Sequence, residues 1–241
     1  MSCLLRTEKL TKRFKGLLAN DDINMEIFDG DVRCIIGPNG AGKTTLISMI
    51  SGHIIPTLGN VFFQNKLINN LSLVNRSCLG IGRKFQTPTV FDNLNVERNI
   101  ELSILRHNLS KKKIFHKIDE TLEIVRLHEH RNILANALSH GQRQWLEIGL
   151  LIGNNAKLLL LDEPTAGMTS EETIATTKLI NQLADEKNLS AIVIEHDINF
   201  VRELGAKITV LHLGKVFTEG TYEQIEKNKK VREIYLGKAD A

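Results

Sequence analysis

Apolar positions along the chain fall into two rhythms. Short runs of β-branched or leucine residues occupy 32–36, 158–161, 191–194 and 208–211, each the length of a fully buried strand. Between them, 43–50, 171–186 and 199–204 carry spaced apolar residues that predict helices. Buried strands alternating with helices predict an α/β core, a parallel sheet covered on both faces. Residues 4–26 and 60–67 read instead as short strands with turns, an antiparallel flank beside that core. From about 88 to 156 the pattern is helical without strong strand candidates, and we read it as a helical subdomain inserted in the core. The last stretch, 222–241, reads as helix with a frayed end. There are no repeats and no low-complexity segments.

At 241 residues the chain fits one domain, 1–241, large enough to bury a substantial core. A net charge of +3 is too small to argue for nucleic acid, and Lys111–Lys113 and Lys229–Lys230 read as solvated surface. Cys3, Cys34 and Cys78 are scattered, which suits a reducing compartment without a disulfide framework. His128 and His130, two apart, would point to different faces of a helix and read as surface residues rather than zinc ligands. Arg6, Glu8 and Lys9 interrupt the apolar start too early for a secretory signal. No run approaches the roughly 18 apolar residues of a membrane span, so work at a membrane would go through a partner.

The candidate chemistry begins at Gly37-Pro38-Asn39-Gly40-Ala41-Gly42-Lys43-Thr44, which fits G-x-x-x-x-G-K-[ST] between a strand and a helix. Small residues let successive N–H groups curl around phosphate oxygens, and the following helix presents its free N–H groups to the same anion. Lys43 supplies a mobile cation for the β- and γ-phosphates, and the Thr44 hydroxyl suits Mg²⁺. These residues, with Thr45 in the first turn of the helix, form the expected nucleotide site. The second signal is Leu158-Leu159-Leu160-Leu161-Asp162-Glu163-Pro164, a strand that delivers two carboxylates at its carboxyl end, where ligand sites of such sheets lie. Asp162 can hold Mg²⁺ directly or through water, and Glu163 can orient or deprotonate the attacking water.

Leu138-Ser139-His140-Gly141-Gln142 opens a helical pattern over 142–152 and resembles the signature of ABC ATPases, usually written L-S-G-G-Q. The order P-loop, Gln86, signature, acidic strand, His196 makes the resemblance extend over essentially the whole chain, 1 to about 236. It implies the P-loop ATPase fold and a head-to-tail dimer, with itself or with a sister ATPase. In that dimer Ser139, Gly141 and Gln142 of one subunit close on ATP held by the other. It further implies that Gln86 senses Mg²⁺ or water and contacts membrane subunits, and that His196 contacts the γ-phosphate. By the same resemblance Phe14, among Lys12, Arg13 and Lys15, stacks on adenine.

Two departures stand out. His140 replaces the first signature glycine, and Thr169 stands where many relatives have aspartate, which weakens transfer of the cross-dimer contact there. The segments 82–91, 138–149 and 164–169 look like the urea-importer ATPase subunit, within a branch shared with branched-chain amino acid importers. The implied protein is a MgATP-driven importer subunit with permease subunits as partners and a solute-binding protein as an indirect one. No direct nucleic acid partner is expected. Its implied place is the cytoplasmic face of the inner membrane.

Overall fold

The computed structural model describes residues 2–84 and 90–236. The chain opens with β1 (Cys3–Phe14) and β2 (Leu17–Phe28), then β3 (Val32–Ile36), α1 (Lys43–Ser51), β4 (Leu58–Phe63), β5 (Lys66–Leu67), α2 (Leu73–Leu79) and β6 (Ile81–Lys84). Three further helices follow, α3 (Val96–Ile104), α4 (Lys111–Ile124) and α5 (His140–Gly153). The remainder is β7 (Leu158–Asp162), α6 (Ser170–Lys187), β8 (Ser190–Ile194), α7 (Ile198–Leu204), β9 (Lys207–His212), β10 (Lys215–Gly220), α8 (Tyr222–Lys227) and α9 (Lys229–Leu236).

Two sheets organise these elements. The larger has the order β10-β9-β3-β8-β7-β6, parallel throughout except for β10, which runs antiparallel at one edge. Its strands alternate between two cores, which explains their unbroken apolar runs. Leu159, Leu161, Ala191 and Val193 face the core shared with α3 to α7, whereas Leu158, Leu160, Ile192 and Ile194 face α1 and the second sheet. That second sheet, β2-β1-β4-β5, is the antiparallel flank.

The flank differs from expectation in the length of its strands. β1 and β2 are each twelve residues long rather than short, because repeated register shifts break the two-residue alternation that reveals a strand in sequence. The strand β6 was not foreseen either: Arg83 and Lys84 hide it, yet Lys84 is buried there against Glu147 at 3.6 Å. The C-terminal helix is broken at Asn228, whose extended backbone separates α8 from α9 and whose side-chain oxygen accepts the Lys230 and Val231 N–H groups. His128 and His130 sit on a single turn of 3₁₀-helix, with His130 Nε2 at 2.9 Å from Gln142 Nε2. Cys34 is buried in the core.

Since β3, β6, β7 and β8 are parallel, their carboxyl ends lie along one edge of the sheet. The residues singled out above leave from there: the glycine-rich loop from β3, Asp162 and Glu163 from β7, and His196 from the end of β8.

Candidate functional site

The loop from β3 to α1 holds its shape through Lys43. Buried at 7% exposure, Lys43 donates from Nζ to the carbonyls of Gly37 at 2.7 Å and Pro38 at 3.1 Å. Burial pulls its pKa down, while Glu163 and Asp162 oppose that. Gly42 has φ 99°, a left-handed conformation that costs glycine little, and a Cβ there would collide with the Ala19 carbonyl oxygen. The loop rims an open cavity of about 320 Å³ that Phe14, Asn39 to Thr45, Glu163 and His196 line together. Phe14 is 40% exposed there, and Lys12 Nζ lies over its ring, 5.0 Å from the centroid.

Opposite the loop stand two carboxylates in unlike settings. Asp162 is 2% exposed, and among the described residues no donor completes a well-formed hydrogen bond to either of its oxygens. Burial pushes its pKa up, and Arg83, Thr44 and Lys43 pull the other way. A buried anion short of donors, with a hydroxyl nearby, is a donor set suited to a hard divalent cation. Among the described residues no three His, Cys, Asp or Glu side chains group to hold a metal by themselves, so a cation here would need oxygens from a ligand as well.

Glu163 faces the cavity. Its backbone is left-handed at φ 49°, which for a residue with a Cβ costs about 1–3 kcal/mol. The conformation is held by its N–H donating to Ile194 O at 2.9 Å and its carbonyl accepting from Ala166 N–H at 3.3 Å. The turn aims its carboxylate at His196, with Oε1 and Nε2 3.5 Å apart.

Ser139, Gly141 and Gln142 do not line this cavity. Ser139 is the N-cap of α5, in a capping box with Gln142. Its hydroxyl also donates to Glu172 Oε1 at 3.1 Å, and the Glu172 side chain fills the space beside Gly141. His140 Nε2 lies 2.9 Å from the Ala166 carbonyl, in the loop that follows Glu163. Thr169 caps α6, its hydroxyl accepting the Glu172 N–H at 3.2 Å. Gln86 lies outside the described residues.

Four charged residues escaped the sequence reading, the half-buried Arg83 and the buried Lys84, Glu147 and Glu195. Arg83 donates from Nη1 to Ser48 at 2.9 Å and Ser51 at 3.1 Å, which brings its positive charge to bear on Asp162. Lys84 pairs with Glu147. Glu195 accepts from Thr165 and from the His196 N–H. A carboxylate directly beside His196 at a strand end was the one available signal.

Comparison with known proteins agrees with this geometry. Residues 20–166 match the family described as ABC transporter. The chain is 34% identical to the high-affinity branched-chain amino acid transport ATP-binding protein BraF of Pseudomonas aeruginosa, over 98% of each chain. It is also similar to a crystal structure of an ATP-binding cassette of an ABC transporter in its ADP conformation. That likeness has a TM-score of 0.88 and 29% identity, and it covers 99% of this chain and 100% of the other. A dimeric cassette in a post-hydrolysis state with ADP and phosphate superposes with a TM-score of 0.79 at 28% identity, covering 91% of this chain and 99% of that one. The chain belongs to the ABC transporter family, as an ATPase whose hydrolysis is coupled to transport.

Proposed function

We propose that this chain is the ATP-hydrolysing motor of an importer for branched-chain amino acids, working as a head-to-tail dimer beneath integral membrane permease subunits. The observation that supports it best is the convergence of the glycine-rich loop, Glu163 and His196 on one cavity at the carboxyl edge of the sheet. ATP sits with its phosphates against Gly37 to Thr45 and its base on Phe14. Glu163 takes a proton from the attacking water as its oxygen bonds the γ-phosphorus, and the bond to the β-phosphate oxygen breaks to release ADP and phosphate. His196 contacts the γ-phosphate. Thr44 and Asp162, with Gln86, are the residues that would hold Mg²⁺, which when bound offsets the negative charge of the phosphates.

Ser139, Gly141 and Gln142, which stand outside their own subunit's cavity, complete the site of a second subunit, either another copy or a sister ATPase. Among the described residues no helix is long and apolar enough to cross a membrane. In this proposal the chain associates with the cytoplasmic face of the inner membrane through its permeases, and with a solute-binding protein only indirectly. No direct nucleic acid contact is part of the proposal.

The similarity to BraF, a branched-chain amino acid transport ATP-binding protein, favours branched-chain amino acids as the solute. Urea is the second reading, favoured by the segments 82–91, 138–149 and 164–169. The test is to isolate tagged Glu163→Gln protein with MgATP from native membranes, identify its partners, and titrate the co-isolated solute-binding protein with leucine and with urea. Permeases with a leucine-binding partner support the proposal, and a urea-binding partner moves it to the second reading. Recovery of ribosomes or nucleic acid without a permease overturns it.

A further inference from the structure

At the end of β8 the Glu195 side chain is enclosed, 4% exposed, one residue before His196. Its two oxygens serve two loops. Oε1 accepts from the Thr165 N–H at 3.0 Å and from the Thr165 hydroxyl at 2.6 Å, and Oε2 accepts from the His196 N–H at 3.1 Å. Thr165 lies two residues beyond Glu163, separated from it by Pro164, which has no N–H to donate. A single carboxylate thus pins the loop that carries Glu163 to the segment that carries His196.

The pin has physical weight. Hydrogen bonds to an ionised carboxylate are shorter and about twice as strong as neutral ones, and those buried from water are strengthened further. A buried carboxylate is tolerated only when donors surround it, and here three donors come from the two loops at issue. Lys84, also buried, adds favourable charge from β6. The loop needs holding, since Glu163 occupies a left-handed backbone conformation that the neighbouring structure must impose. A neutral glutamine of the same shape could not serve both sides. Its one carbonyl oxygen would satisfy Thr165 or His196, and its amide would turn a donor toward the other donor.

We infer that Glu195 is a positioning residue, which sets the separation of Glu163 and His196 by holding both of their loops to one carboxylate. This rests on the roles proposed above for Glu163 and His196. The two groups then move as a unit, and the hydrolytic geometry depends on a side chain outside the cavity lining.

The test compares wild-type full-length protein with Glu195→Gln, Thr165→Val and the double variant, each checked for folding by thermal denaturation. For Glu195→Gln, with rates normalised to the folded fraction, we expect kcat for ATP to fall about tenfold while KM stays within about twofold. Hydrogen exchange at the Thr165 and His196 backbone amides should accelerate about tenfold, a readout independent of activity. Thr165→Val, which keeps the shape and removes only the hydroxyl, should lower kcat by roughly threefold. The double variant should be no slower than Glu195→Gln alone, because both changes break one interaction. Unchanged kcat and unchanged exchange at both amides in Glu195→Gln would overturn the inference, as would fully additive losses in the double variant. If Glu195→Gln does not fold, Thr165→Val decides: wild-type kcat with unaltered exchange at His196 overturns it. Glu163→Gln and His196→Ala run alongside. Normal turnover in both would overturn the site reading and the inference with it. Loss of turnover in those two alone, with Glu195→Gln at wild-type rate, overturns only the inference.

Discussion

His196 Nε2 stands 3.5 Å from Glu163 Oε1, although the two side chains leave the ends of different strands. What joins them is the register of β7 on β8, where Asp162 pairs with Ile194 and the Glu163 N–H donates to the Ile194 carbonyl. The separation suits two groups acting on neighbouring atoms of one phosphate and its attacking water. Glu163→Gln should therefore lower turnover by about 100-fold or more while ATP affinity stays within a few-fold of wild type. The same variant should accumulate as a dimer with MgATP, read by light scattering. His196→Ala should also slow turnover with affinity largely kept, and a large loss of ATP affinity would contradict its place at the γ-phosphate.

Lys43 already donates to the carbonyls of its own loop, so its cation is in place before nucleotide arrives. Lys43→Ala removes that charge from the phosphate cradle, and ATP affinity should drop by about 10- to 100-fold in calorimetric titration. Gly42→Ala acts on the backbone instead. With φ 99° and the Ala19 carbonyl in the way, it should cost about 2 kcal/mol in denaturant unfolding as well as weakening ATP binding.

Asp162 carries a charge that burial disfavours, so its folded pKa is raised above the unfolded value. For a carboxylate shifted that way the folded state holds the proton to higher pH than the unfolded chain. Its contribution to stability falls as pH rises through that window and is most unfavourable above it. Asp162→Asn should therefore melt higher than wild type at pH 7 without nucleotide, and the difference should shrink as pH falls into the ordinary carboxylate range. With MgATP the order should reverse, because wild type gains a bound cation and the variant does not. A melting temperature for Asp162→Asn below wild type at pH 7 in the absence of ligand would refute this account.

Lys84 and Glu147 tie β6 to α5, the helix that Ser139 caps, at 2% and 4% side-chain exposure. Burial lowers the Lys84 pKa and Glu147 opposes the shift. Lys84→Met takes the cation from beside a buried carboxylate and should cost about 3–5 kcal/mol in denaturant unfolding. The pair Lys84→Met with Glu147→Leu should recover most of that loss. Equal destabilisation of the single and double variants would mean the ion pair is not the cause.

Sequence alone determined the parts of this protein whose physics is local. Gly37 to Thr44 can be read because a phosphate cradle needs small residues and a helix start in unbroken order. The leucines before Asp162 can be read because a strand buried on both faces has no polar position to spare. Those segments, with Ser139 to Gln142 and His196, led to the fold, the ATPase chemistry and the family. Tertiary structure decided everything that depends on partners distant in the chain. The long strands β1 and β2 were hidden by bulges, since a shift in register breaks the alternation that marks a strand. Lys84 gained its place only when Glu147 was set against it. Glu195 gained its meaning only when β7 and β8 brought Thr165 to it, because a carboxylate's role is set by the donors that meet it, and pairing across the sheet supplies those donors.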